Sequence, residues 1–214
     1  MSTATTIARR LLEAGAVRLA PLKPFTWASG LRSPIYCDNR VLLSYPALRA
    51  EVIDALQRVA ADFGPLDGVA GVATAGIPHG ALLADRLGLP LVYVRSQAKA
   101  HGRQNQIEGR LEAGKRYLVV EDLISTGGSS LKAIDALRAA GGQVAGAVAI
   151  FTYGFPAAAR AFRQADVPLA TLSDYATLLD AAVTSDYVSA DEAATLATWR
   201  EDPRAWSEAF EARS

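Results

Sequence analysis

Four short apolar runs, Gly68–Val72, Leu91–Val94, residues 117–120 and residues 144–151, alternate with segments that read as helices or polar loops. Near-continuous apolar strands of this length are buried on both faces. Strands that alternate with helices pair in a mostly parallel sheet covered by helices on each side. In such an α/β fold, ligands bind beyond the carboxyl ends of the strands. The segments after Val72, Val94, Val120 and Phe151 are therefore where chemistry is expected.

Around this centre, Ile7, Leu11 and Leu12 share one face of a first helix over 3–14. Ser44 is placed to cap a second helix with Pro46 in its first turn. Leu48, Val52, Leu56, Val59 and Phe63 continue it until Gly64-Pro65. Further helices are expected at 78–87 (ending at Gly88), 129–140, 156–165, 174–182 and 190–210. Residues 17–40 differ: Pro21, Pro24, Gly30 and Pro34 punctuate short strand-like pieces such as 25–27 and 35–37. The 214 residues suit a single domain. It divides into an N-terminal helix and hood over about 1–40, and a core with C-terminal helices over about 41–214. The 22 basic and 22 acidic residues balance, which gives no support to a nucleic-acid or membrane-surface partner. No apolar run approaches the roughly 20 residues of a membrane span, and residues 1–10 lack a signal-peptide core. The single cysteine, Cys37, excludes an internal disulfide, fits a reducing cytoplasm, and is expected to be a small buried hydrophobe.

The most informative segment follows the third run. Glu121 and Asp122 stand at a strand end, then come Leu123, Ile124, Ser125, Thr126, Gly127, Gly128 and Ser129, and a helix starts at once. Paired carboxylates accept hydrogen bonds from adjacent sugar hydroxyls. Small residues let backbone N–H groups close around a phosphate at a helix N-terminus. One ligand satisfies both halves: ribose 5-phosphate. Neither G-x-x-x-x-G-K-[ST] nor a G-x-G-x-x-G after a strand is present. A plain capped strand–turn–helix is the alternative. A second small-residue turn, Ala73, Thr74, Ala75 and Gly76, ends the first run and reads as an anion site or a packing turn. Residues 95–109 are long, polar and basic, with Arg95, Lys99 and His101, and with Gly102 and Gly109 as hinges. This segment reads as a lid over a charged diphosphate or as a solvated loop. Residues 25–40 read as a surface hairpin, or as a site in which Ser29 and Gly30 offer N–H groups to a carboxylate and Tyr36 covers a flat ring.

Residues 119–130 resemble the signature by which type I phosphoribosyltransferases bind phosphoribosyl pyrophosphate, and 71–78 resemble their pyrophosphate loop. The Arg, Lys and His-Gly order of 95–109 resembles the catalytic loop of orotate phosphoribosyltransferases. The S-G-x-x-S-P-x-Y core of 25–40 is similar to their orotate-binding hood. The four blocks span residues 25–130. The resemblance implies the type I phosphoribosyltransferase fold and transfer of ribose 5-phosphate from phosphoribosyl pyrophosphate to orotate, in pyrimidine synthesis in the cytoplasm. It implies Lys99, His101 and Asp122 as catalytic residues. Arg95, Lys99, His101, Glu121, Asp122 and the turn from Leu123 to Ser129 would bind phosphoribosyl pyrophosphate, with Ala73 to Gly76 on its pyrophosphate. Ser125, Ser29, Gly30 and Tyr36 would meet orotate. Mg²⁺ would be carried by the diphosphate, with no direct protein ligand. The loop would reach into the neighbouring subunit's site, making a homodimer with shared active sites.

Some positions depart from the family pattern. Some members carry lysine where this chain has Ala28 and Ala75, many have a second basic residue where it has Ser96, and an arginine placed after the fourth strand has no match near Tyr153. The partner of the orotate carboxylate is thus open between backbone N–H groups, Arg32 and Arg40. His79 reads as structural, and Asp174 and Tyr175 are assigned no chemistry. A purine or uracil transferase is the nearest rival. A regulatory protein that kept the phosphate site without turnover is the rival from another class.

Overall fold

A computed structural model of the chain describes residues 2–27, 29–96 and 106–212. The first helix, α1 (Thr3–Glu13), is capped by the Ser2 hydroxyl, which accepts from the Thr5 N–H. It buries Ile7, Ala8, Leu11 and Leu12 in the main core. The hood follows as two small antiparallel ladders. Strand β1 (Val17–Leu19) pairs with β4 (Ile35–Cys37), and β2 (Phe25–Thr26) pairs with β3 (Arg32–Ser33). A 3₁₀ turn over Asn39–Ser44 leads into α2 (Pro46–Ala60). Pro46 opens α2 as expected, but Tyr45 holds the N-cap position and makes no side-chain cap. Ser44 instead ends the preceding turn. Cys37 is half-buried against the core.

The remaining elements are β5 (Gly68–Val72), α3 (Gly76–Leu87), β6 (Leu91–Val94), β7 (Ile107–Glu108), β8 (Arg116–Ile124), α4 (Gly128–Ala139), β9 (Gln143–Thr152), α5 (Pro156–Gln164), β10 (Leu169–Asp174), α6 (Tyr175–Thr184), α7 (Ala190–Glu201) and α8 (Pro203–Glu211). The central sheet runs β10-β9-β8-β5-β6-β7, parallel except for β7 at its edge. This is the mostly parallel, helix-flanked sheet that the apolar alternation implies. Side chains alternate across each strand. Leu118 and Val120 of β8 enter a core shared with α1, α2, α6 and α7, while Tyr117 and Val119 enter a second core under α4 and α5.

Four elements depart from expectation, the first being β10, which carries little apolar signal and pairs with β9 at the edge of the sheet. Strand β8 continues through both acids to Ile124, because β9 pairs with it that far, whereas β5 leaves it at Val120. The polar stretch after Val94 contains β7, whose buried Ile107 pairs with Val94. The expected helix over 190–210 is two helices. Asp202 accepts from the N–H groups of Arg204 and Ala205 to cap α8, and Pro203 opens it.

Candidate active site

Beyond Val120 the acidic pair lies in β8 where β5 no longer flanks it. Glu121 is buried, and its carboxylate accepts from Ser130 Oγ (3.3 Å), Ser129 Oγ (3.4 Å) and the Asp122 N–H (3.1 Å). Asp122 is half-buried on the hood side, and its backbone carbonyl accepts from Asn39 Nδ2 at 2.8 Å. Burial first, and the charge of Asp122 second, push the Glu121 carboxyl up to about 8. Burial also raises Asp122, against hydrogen bonding from Glu121 and the charge of Arg40. Two carboxyls in one poorly solvated site cannot both ionise cheaply. Added hydrogen-bond donors at this site would restore the second charge.

The turn after β8 leads into α4 without a side-chain cap. Gly127 is the N-cap of α4, has a φ of +83°, and provides no side-chain cap. A Cβ there would also come within 2.8 Å of Phe162, so glycine alone fits. The first-turn N–H groups of α4 are thus left for a ligand. The turn of Ala73 to Gly76 stands beside it. Helix α3 also starts without a side-chain cap. A Cβ on Gly76 would lie 2.4 Å from the Val120 carbonyl oxygen and 3.2 Å from Glu121 Cα. The two uncapped helix starts therefore flank one acidic pair.

Other residues singled out in the sequence fall as follows. The Arg95 N–H donates to the Gln106 carbonyl at 2.8 Å, so the basic segment leaves and rejoins the sheet at one point. Arg95 itself lies 3.7 Å from Glu108. Lys99, His101 and Gly102 lie outside the described residues, as does Ala28. Gly109 has a φ of +97°, and a Cβ there would lie 3.0 Å from the Leu91 carbonyl oxygen, so the position suits glycine. Ser29 and Gly30 form the exposed tip between β2 and β3, where the Gly30 N–H already donates to the Trp27 carbonyl at 2.8 Å. Tyr36 is half-buried beside Phe25, and Arg18 lies over both rings at 5.0 and 5.4 Å. His79 is fully buried with no hydrogen bond to either ring nitrogen among the described residues, and burial pushes it down to about 4. It lies beside Asn39, the residue that holds the Asp122 carbonyl. Asn39 was not singled out, although a buried asparagine must find partners and this one holds the acidic strand.

The hood is fixed to the sheet by aromatic rings. Trp27 stacks on Tyr153 (5.6 Å, 21°), and Trp199 of α7 meets Trp27, Tyr153, Phe155 and Tyr175 at 5.3–5.6 Å. A cleft of about 470 Å³ opens between this cluster and the turn after β8, lined by Trp27, Leu31, Ser125, Thr126 and Arg200.

A family model described as "Phosphoribosyl transferase domain" matches residues 40–167. Orotate phosphoribosyltransferase of Bacteroides fragilis is 54% identical over 200 residues, covering 93% of this chain and 94% of the relative. The chain belongs to the orotate phosphoribosyltransferase family. The same enzyme of Cutibacterium acnes is 55% identical over 203 residues, covering 94% of each. The crystal structure of orotate phosphoribosyltransferase from Aeropyrum pernix superimposes with a TM-score of 0.75 at 34% identity, over 86% of this chain and 99% of that one. The type I fold expected of the family is thus the fold observed. No described helix is long and apolar enough to cross a membrane.

Proposed function

We propose that this family member transfers ribose 5-phosphate from phosphoribosyl pyrophosphate to N1 of orotate, giving orotidine 5′-monophosphate and pyrophosphate in UMP synthesis. The observation that carries the reading is the close approach of Gly76, at the start of α3, to the β8 backbone at Val120 and Glu121, which sets two uncapped helix starts beside one carboxylate pair. Such a site takes a sugar diol between two phosphate groups. Glu121 and Asp122 would hold the ribose hydroxyls, and residues 125–129 the 5′-phosphate. Ala73 to Gly76 would offer backbone N–H groups to the pyrophosphate.

In the reaction N1 of orotate displaces pyrophosphate from C1 with inversion. The sugar develops positive charge, which the carboxylates favour, and the leaving group is a polyanion. Lys99 and His101 are assigned to that polyanion by resemblance, with Arg95 beside them. Among the described residues, no group of three or more His, Cys, Asp or Glu side chains is placed to enclose a metal. Mg²⁺ prefers phosphate oxygens and water to an all-protein cage, so it would arrive on the diphosphate as part of the substrate and supply positive charge to the leaving oxygens. A homodimer with shared sites and a cytoplasmic setting complete the proposal. Supplying Mg²⁺ and phosphoribosyl pyrophosphate with orotate, uracil, adenine or guanine in turn, and following pyrophosphate release, tests it. Orotate should be consumed and the others should be much poorer. A preference for another base would reject the assignment, and no release with any base would favour a protein without turnover.

A further inference from the structure

Orotate differs from uracil by one carboxylate, and both hood arginines named as candidates for it, Arg32 and Arg40, are already engaged by other groups. Arg32 is held by Thr26 Oγ1 at 2.7 Å and lies 3.5 Å from Glu211. Arg40 grips both oxygens of Asp38, at 2.6 and 2.8 Å. The Gly30 N–H is used within its own turn. Three arginines line the cleft beside Trp27 and the phosphate turn: Arg160, Arg200 and Arg204. Arg160 and Arg204 are exposed. Arg200 is half-buried and, among the described residues, is engaged by no hydrogen bond or ion pair. Two acids share the lining, Glu201 and Asp202, and Asp202 is committed to capping α8. The cleft therefore keeps an excess of positive charge.

The backbone explains why this cation comes from α7. Gly154 follows β9, level with the start of the phosphate turn through the pairing of Ile124 with Thr152. Its φ of +69° suits glycine, so the sheet end offers no side chain there. Nη1 of Arg200 lies 3.9 Å from the point a Cβ on Gly154 would occupy. The neighbouring Trp199, fully buried against the aromatic cluster, fixes α7 so that Arg200 enters this space. We propose that Arg200 binds the carboxylate of orotate and sets the preference for orotate over uracil. A guanidinium fork matches a carboxylate with two parallel hydrogen bonds.

The proposal rests on the reading of the chain as an orotate transferase, so both need separate readouts. Wild type, Arg200→Gln and Arg200→Lys would each receive orotate and uracil together, with Mg²⁺ and phosphoribosyl pyrophosphate. The product ratio reports relative kcat/KM and does not depend on the fraction of enzyme folded. Arg200→Gln should lower the orotate-to-uracil ratio by about 10- to 100-fold, the range for a hydrogen bond to a charged group. The loss should sit mainly in the KM for orotate, with the KM for phosphoribosyl pyrophosphate within about twofold by the same reasoning. Arg200→Lys should recover part of the ratio. An unchanged ratio in Arg200→Gln, even with slower turnover on both bases, overturns the role of Arg200 and leaves the function standing. A wild type that does not prefer orotate overturns both.

Discussion

Glu121 is a carboxyl group that folding removes from water before any substrate arrives, and this has a consequence for stability. Its ordinary value near 4.5 is pushed up to about 8, by burial and then by Asp122. A group whose folded value lies above its unfolded value binds protons more tightly when folded. Its contribution is therefore fully present below about pH 4.5 and is lost as pH rises through about 8. Glu121→Gln removes the titration and keeps the shape. In ligand-free protein the melting temperature of this variant, relative to the parent, should rise by several degrees between pH 5 and pH 8.5. Each unit of displacement corresponds to about 1.4 kcal/mol, and each kcal/mol to roughly 2–4 °C in a chain this long. A melting difference that stays flat with pH would reject the buried-acid reading. The acids themselves were legible in the sequence, because two carboxylates at the end of an apolar run have no packing reason to be there. Their supports were not. Asn39 reaches Asp122 across 83 residues, and Arg200 reaches Gly154 from the C-terminal helices. No local periodicity encodes such pairs.

At the scale of elements, strands buried on both faces were readable because their apolar runs are unbroken, as in β5 and β9. Edge strands escaped. Two-residue β7 and half-buried β10 carry little apolar signal, and only pairing with β6 and β9 defines them. Turn chemistry was legible as composition, while the reason for each glycine came only with the packing. Gly76 is required because α3 starts in contact with β8. Gly76→Ala would drive a Cβ into the Val120 carbonyl, 2.4 Å away, and backbone on both sides cannot yield as a side chain would. Overpacking of this kind costs about 1–3 kcal/mol. It should also part the two turns and slow transfer by about tenfold or more, the effect of 1.4 kcal/mol at the transition state. Gly128→Ala is the contrast for stability, since the nearest atom to its Cβ is Thr126 Oγ1 at 3.9 Å. Its urea midpoint should stay near that of the parent, the change being within about 0.5 kcal/mol. Equal midpoints for the two variants would remove the close-approach argument.

At the scale of the whole molecule, the surfaces proposed for ribose, phosphate and base lie within one chain, while the basic segment joins β6 to β7 at the sheet edge, where the Arg95 N–H donates to the Gln106 carbonyl. The sequence reading by resemblance sends the residues between, Lys99 and His101 among them, to the neighbouring subunit's site. That can be decided by complementation. Lys99→Ala and Asp122→Asn should each be nearly inactive as homodimers, one lacking the cation for the leaving group and the other a ribose carboxylate. In a heterodimer with loops that act across the interface, one site carries both lesions and the other carries neither. Random exchange of equal amounts makes half of the dimers mixed, and one of their two sites is intact. Activity should then return to about a quarter of wild type per subunit, with no new contact formed. If each loop serves its own subunit, every site keeps one lesion and mixing restores nothing. A mass tag on one variant establishes that subunits have exchanged. With exchange established, an inactive mixture means that the sites are not shared and that Lys99 must work within its own chain.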